Sequence, residues 1–342
     1  MEPYLSIVVA SRNDNHGGDM LKRMRIFLNG LIYQSNKHQF PVELIFVEWN
    51  PPQNNALLKD VLPKLPNGQN YLQLKYLIVP PAIHQKYRFS SVIPLYQMIA
   101  KNVGIRRAKA EFILCTNVDL LFSDELMAFL AQQTLNQQSF YRANRCDIPN
   151  SVSEELTVPQ QVEFARNNIL SRNGLSAYYP YLANAHPFFT KNQQIARFTN
   201  YAVGLKRKWF NNPTEVNLWS LDTDACGDFT LMGKQAWFDI QGYPELDLYS
   251  IHIDSMALIA AAAKGYHQVV LPPNACTYHI HHTDGWASMN PLEKLHFWHK
   301  RPGLGWDIVS QCGEYLFKNK TSYQINAENW GFSDLELETY TF

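Results

Sequence analysis

From Leu5 to Ala10 the chain reads LSIVVA, nearly all apolar, and then turns abruptly polar in SRNDNHGGD. A short apolar run without alternation predicts a strand buried on both faces. The same punctuation recurs downstream. VELIFVEW (42–49) is stopped by Asn50-Pro51-Pro52, LKYLIVPP (74–81) ends in its own prolines, and EFILCT (111–116) runs into Asn117-Val118-Asp119. Between these runs the period lengthens: MLKRMRIFLNGLIYQ (20–34) is an amphipathic helix and SVIPLYQMIAKNVGIRRA (91–108) is mostly helical. Strands alternating with helices predict an α/β fold with a mostly parallel central sheet covered on both faces. Ligands of such sheets gather at the carboxyl ends of the strands. Ser11-Arg12-Asn13-Asp14, Glu48 and Asn117-Val118-Asp119 stand at those ends.

The second half is patterned less regularly. SFYRANRCDIP (139–149) reads as one strand leading into a polar region rich in Asn, Gln and Tyr, and 126–224 is expected to be an insertion or substrate-facing lobe. ACGDFTLMGKQAWFDIQGYPE (225–245) predicts a Gly-punctuated strand and a short helix. SMALIAAAAKG (255–265) is a helix closed by glycine. HQVVLPP (267–273) and CTYHIHH (276–282) are strand-like, and 291–342 is expected to wrap the domain as helix and coil.

Composition narrows the function classes. Thirty basic and thirty acidic residues cancel in a chain of 342, which leaves no electrostatic footprint for nucleic acid or an anionic membrane. The five cysteines never fall in a C-x-x-C pair, which argues for a reducing compartment. MEPYLSIVVASRND has no basic leader, and no apolar run is long enough to span a bilayer. The expectation is a soluble cytoplasmic protein. Aromatics at 13% are generous; Trp286 and Tyr249 are candidates for stacking on sugars, with ordinary packing the competing role.

Three constellations carry candidate chemistry. Asp119, just past a buried strand, is placed to bind a hard divalent cation or to cap the turn before SDELMAFL. In HIHHTD (279–284), strand alternation puts His279 and His281 on one face and His282 on the other. Imidazole beside carboxylate favours Mn²⁺ or a related metal. A zinc site built on Cys276 and His279 lacks a second pair. Asp254 opens the Ala-rich helix, as a dipole-favoured residue or as a general base.

Taken together, these segments resemble a nucleotide-sugar-dependent glycosyltransferase of the GT-A fold, in the broad family-two-like group, with motifs similar to the β-1,4-galactosyltransferases. VVASRND (8–14) resembles the first strand and its nucleotide-contacting loop, which implies donor contacts from Ser11, Arg12 and Asp14; Glu48 matches an acidic residue near uracil and ribose. KNVGIRRAKAEFILCTNVDLLFSDE (101–125) resembles the Asn-x-Gly helix and the Asp-x-Asp strand end, which adds Asn102 and Arg106 to the donor side. Asp119 matches the metal-binding Asp, and Asn117 stands where the first Asp of that motif touches ribose. CGDFTLMGKQAWFDIQGYPE (226–245) resembles the segment before the acceptor site and brings in Asp228. HIDSMALIAAAAKG (252–265) matches the helix of the catalytic Asp, with Ile253 in place of the preceding Glu. HHTDGWASMNP (281–291) resembles the metal-binding His segment and favours His281, with His279 as the alternative.

The resemblance implies a single GT-A domain, with a nucleotide-sugar half (1–125) and an acceptor half (126–342). It implies Mn²⁺ or Mg²⁺, a UDP-sugar donor, and a glycan or other hydroxyl acceptor deprotonated by Asp254 with inversion. The competing readings are a retaining transferase, an inactive sugar-binding protein, and a nucleotidyltransferase, which would show an earlier Gly-rich loop.

Overall fold

A computed structural model describes residues 1–172, 218–282, 292 and 302–342. The strands are β1 (Leu5–Ser11), β2 (Val42–Trp49), β3 (Leu72–Val79), β4 (Phe112–Thr116), β5 (Leu120–Phe122), β6 (Ser139–Arg142), β7 (Asn144–Ile148), β8 (Ser171–Arg172), β9 (Phe229–Gly233), β10 (His267–Val270), β11 (Cys276–Ile280) and β12 (Glu338–Thr341). The longer helices are α1 (Met20–Lys37), α2 (Gln97–Arg107), α3 (Asp124–Ala131), α4 (Val158–Asn167), α5 (Ile253–Ala263) and α6 (Trp306–Asn319).

An eight-stranded sheet runs in the order β10-β6-β9-β4-β1-β2-β3-β12. Its centre is parallel: β1 pairs in parallel with β2 and β4, and β2 with β3. β9 enters antiparallel between β4 and β6, and β12 closes the far edge antiparallel to β3. This is the expected α/β architecture, a large and mostly parallel sheet flanked by helices. Both faces of β1 are buried. Leu5, Ile7 and Val9 join the core under α1, with Met24, Phe27 and Leu31. Val8 and Ala10 join the opposite core, with Ile99 and Val103 of α2 and most of α5. A second sheet, β5-β11-β7-β8, lies over its own apolar cluster that includes Ile26, Leu121, Cys146 and Ile280.

The structure departs from the sequence pattern in instructive places. The run 139–149 is two strands, β6 in the large sheet and β7 in the small one, with the chain changing sheets at Ala143. The stretch 126–172 therefore contributes to both sheets, and 173–217 lies outside the described residues. The tail holds a strand, β12, as well as helix and coil. The helix expected from 91 begins at Gln97, because Pro94 removes a backbone donor ahead of it. Among the described residues no helix is long and apolar enough to cross a membrane.

Helix α2 sits close to the sheet through Gly104, where an added Cβ would collide with Val8 Cγ1 and press on Val47 Cγ2 at 3.3 Å. Gly104→Ala is expected to lower stability by about 1–3 kcal/mol through overpacking, against the roughly 1 kcal/mol that Ala ordinarily gains over Gly in a helix. Urea unfolding measures the difference, and a higher midpoint for the variant would show that the interface yields.

Candidate functional site

Asp119 lies in the turn between β4 and β5, and its carbonyl accepts a hydrogen bond from Ile280 N (2.9 Å), which pins the turn to β11. Its Oδ2 is 3.2 Å from Arg23 Nη1, 3.5 Å from His279 Nε2 and 3.2 Å from His282 Nε2. Asp119, His279 and His282 each present a ligand atom, all within 4.8 Å of one another. Burial pushes the Asp119 carboxyl up, but the charge of His279 and hydrogen bonds from both histidines outweigh it and hold it well below the usual carboxylate range.

The histidine expectation changes in detail. β11 ends at Ile280, so alternation stops there and His282 swings back to Asp119. His281 is outside the cluster; its backbone N–H bonds Ile148 O, and burial first, then the charge of His279, lowers its imidazole. Above His282 lies the loop that follows β1. Gly17 has φ +71°, and a Cβ there would stand 2.6 Å from His282 Nδ1, so only glycine lets the loop approach this closely.

The residues test well against a divalent cation. Asp119 Oδ1 and His282 Nδ1 are buried with no hydrogen-bond partner, and the Nε2 atoms of both histidines face the same carboxylate. Two imidazoles with one carboxylate suit Mn²⁺, Zn²⁺ or Fe²⁺ better than the all-oxygen preference of Mg²⁺ or Ca²⁺.

From this cluster a polar chain runs across the carboxyl ends of the strands. His279 Nδ1 is 3.0 Å from Asp147 Oδ1, and Asp147 is 2.6 Å from Arg145 Nη2. Arg145 Nη1 reaches Asp228 Oδ2 at 3.1 Å, and Asp228 Oδ1 accepts from Asn117 Nδ2 at 2.5 Å. Asn117 Oδ1 accepts from Lys101 Nζ (3.0 Å) and Gln97 Nε2 (2.7 Å), which uses both its lone pairs and leaves one N–H for a ligand. Lys101 is fully buried, burial lowers its ammonium, and its Nζ also bonds Gly227 O at 2.9 Å. Asp254, at the start of α5, accepts from Ser255 N, and its Oδ2 would be 2.8 Å from a Cβ on Gly227.

The remaining expected residues divide into two groups. Ser11 and Glu48 are register partners at the ends of β1 and β2. Arg12 bonds Asn50 O (3.1 Å) and Asp14 (3.2 Å) beside them. Asn102 and Arg106 turn elsewhere: Asn102 bonds Tyr243 and Glu245, and Arg106 stacks over Phe238 and Trp330 and reaches Glu328 O. Those contacts tie α2 to the 238–245 segment and to the tail, and no side chain of the cluster is among their partners. Trp286 lies outside the described residues. Tyr249 bonds Pro302 O through its backbone.

Arg23, Lys101, Arg145 and Asp147 were not anticipated, yet each leaves a trace. Arg23 falls in phase with Met20, Met24 and Phe27, and Lys101 with Met98 and Ile105, so each is a charge on an apolar helical stripe. Arg145 and Asp147 alternate with Cys146 and Ile148 and so share one face of β7.

No protein-family model matches the chain, and no curated protein matches it. Among solved structures, the crystal structure of S. aureus TarS aligns over 81% of this chain and 36% of that one, at 15% identity and a TM-score of 0.39. The chain thus spans little more than a third of that protein's length, 36%.

Glu48 gives a pH test. Its Oε2 accepts from Leu58 N at 2.8 Å, while its Oε1 and the neighbouring Ser11 Oγ are buried without partners. Burial pushes its carboxyl up to about 7 from 4.5. A raised folded value means that the protonated form is favoured; this stability is present below the unfolded pKa and is lost as pH rises through 7. Glu48→Gln is therefore expected to be neutral at pH 4 and stabilising by up to about 3 kcal/mol at pH 8. Thermal unfolding at the two pH values measures this, and equal gains at both would refute it.

Proposed function

We propose that this chain is a GT-A glycosyltransferase that moves a sugar from a nucleotide-diphosphate donor, a UDP-sugar, to an acceptor hydroxyl with inversion. One observation carries the reading. Asp119 and the pair His279 and His282 are some 160 residues apart in sequence, yet their ligand atoms lie within 4.8 Å at the carboxyl end of a mostly parallel sheet. The family resemblance of the segments around Arg12, Asp119 and Asp254 supplies the donor class.

Asp119, His279 and His282 would hold Mn²⁺ or a related cation. Bound there, such an ion offers charge neutralisation and Lewis acidity to a departing diphosphate. The chain's own groups do the rest. Arg23, gripped by Asp119 Oδ2 and the carbonyl of Gly18 (3.0 Å), is a fixed positive charge at the same spot. Arg12, paired with Asp14 and held by Asn50 O, offers guanidinium N–H donors beside Ser11 and Glu48, where the base and ribose bind. Asn117, its amide oriented by Lys101 and Asp228, has one N–H left for a donor hydroxyl. Asp254 takes the proton from the acceptor hydroxyl as it attacks the anomeric carbon from the face opposite the diphosphate. A single base suffices for inversion, and no nucleophilic carboxylate is needed.

A screen of nucleotide sugars by thermal shift, with and without Mn²⁺, tests the assignment. The matching donor is expected to raise the melting temperature by a few degrees in a Mn²⁺-dependent manner. Asp119→Ala is expected to abolish the Mn²⁺-dependent part, and an unchanged shift would exclude Asp119 as a ligand.

Turnover measurements test the base. Asp254→Asn should bind donor normally and lose about 100-fold or more in kcat. Gly227→Ala should do much the same by displacing the Asp254 carboxylate. Near-normal transfer by Asp254→Asn would remove it from the mechanism, and a product of retained configuration would point to a retaining enzyme.

A further inference from the structure

Asp147 is almost completely enclosed, at 2% exposure, and its carboxylate meets the side chains of Arg145, Ser171 and His279. It stands directly across from His279 in the parallel pairing of β7 with β11, so backbone register alone sets the two side chains side by side. Its Oδ1 is 3.0 Å from His279 Nδ1 and also accepts from Arg145 Nε (2.8 Å) and Nη2 (2.6 Å), while its Oδ2 accepts from Ser171 Oγ. The carboxylate therefore cannot turn away from the imidazole without breaking a buried ion pair.

We propose that Asp147, clamped by Arg145 and Ser171, is the positioning residue that holds the His279 ring with its Nε2 lone pair toward the cation. The inference rests on the metal reading of Asp119, His279 and His282. Its logic is one of proton placement on the ring. Arg145 Nη2 lies 2.9 Å from His279 Nδ1, so a donor and an acceptor both face that nitrogen. If Nδ1 is bare, it takes the Arg145 N–H, and Nε2 carries the ring proton toward Asp119. If Nδ1 carries the proton, it donates to Asp147, and Nε2 is free to ligate. An ionised carboxylate cannot donate, so of the two neutral tautomers it supports only the second, the one a bound cation requires. A carboxylate behind a ligating imidazole also raises its basicity and fixes its plane. Arg145 adds reach: its other arm holds Asp228, so the ring that ligates and the carboxylate that orients Asn117 are braced by one guanidinium.

The test is calorimetric titration with Mn²⁺ alone, with no donor and no turnover. Asp147→Asn keeps the volume and one acceptor but loses the charge, and is expected to weaken Mn²⁺ binding about 10-fold; Asp147→Ala is expected to weaken it about 100-fold. Ser171→Ala, which removes only the donor to Oδ2, should fall between the wild type and Asp147→Asn, and serves if the Asp147 variants fail to fold. In the Zn²⁺-loaded protein, the His279 Nδ1 proton should resonate far downfield and move upfield in Asp147→Asn, a change that loosened packing elsewhere would not produce. Asp147 variants that bind Mn²⁺ within about twofold of the wild type, a Ser171→Ala variant indistinguishable from the wild type where neither Asp147 variant folds, or an unmoved Nδ1 proton, would overturn the proposal. A wild type that binds no cation would instead overturn the metal reading beneath it.

Discussion

A carboxylate as enclosed as that of Asp119 is tolerable only beside positive charge, because its desolvation is otherwise too costly. Everything at the carboxyl end of the sheet is arranged around that constraint. Arg23 arrives from α1, His279 from β11 and His282 from the segment after it, and all three meet the same oxygen. Arg23 also clasps the carbonyls of His16 and Gly18, so the loop after β1 is tied to the same ion pair. One oxygen thus fixes the relative position of the first loop, the first helix and the second sheet.

Under the proposed function, the charge balance of the site gives a cation a definite role. Asp119, Asp147, Asp228 and Asp254 face Arg23, Arg145 and Lys101, which leaves one negative charge with the histidines neutral. A diphosphate approaching that surface meets repulsion. A divalent cation on Asp119 and the histidines would reverse the sign and make the same surface attractive, and at a site this enclosed the effect is only weakly screened. Arg12 changes this little, because Asp14 already neutralises it. Metal dependence on this view follows from the count of fixed charges as much as from Lewis acidity.

The parallel sheet was legible because it is buried on both faces, and LSIVVA and VELIFVEW have few polar positions to confuse the period. Asp119 and the histidine segment, which the fold brings together, stand out in the sequence because they interrupt apolar elements with polar groups. What stayed hidden depends on tertiary context. A charge such as Arg23 or Lys101 on an apolar helical stripe looks like a defect until its partner is known, and the partners lie 96 and 16 residues away. His282 escapes the alternation because the strand ends at Ile280, two residues before it, and nothing in HIHHTD marks that end. The break at Ala143 was invisible because both sides of it are good strand sequence, and only their partners differ.

Topology accounts for how residues so far apart come to share one site. An antiparallel strand begins where its parallel neighbours end. β9 runs against β4, so the turn Cys226–Asp228 that leads into it must lie beside Thr116 and Asn117 at the end of β4. Thr116 Oγ1 donates to Asp228 O at 2.6 Å, the contact this geometry requires. The same reversal brings Gly227 against Asp254 and within reach of Lys101. In the second sheet, β11 runs against β5 and parallel to β7, so its last residues return to Asp119 while Asp147 lies alongside His279. Two reversals in an otherwise parallel frame are therefore enough to collect Asp119, His279 and His282, the carboxylates of Asp147 and Asp228, and Asp254 at one edge, whatever the sequence distance between them.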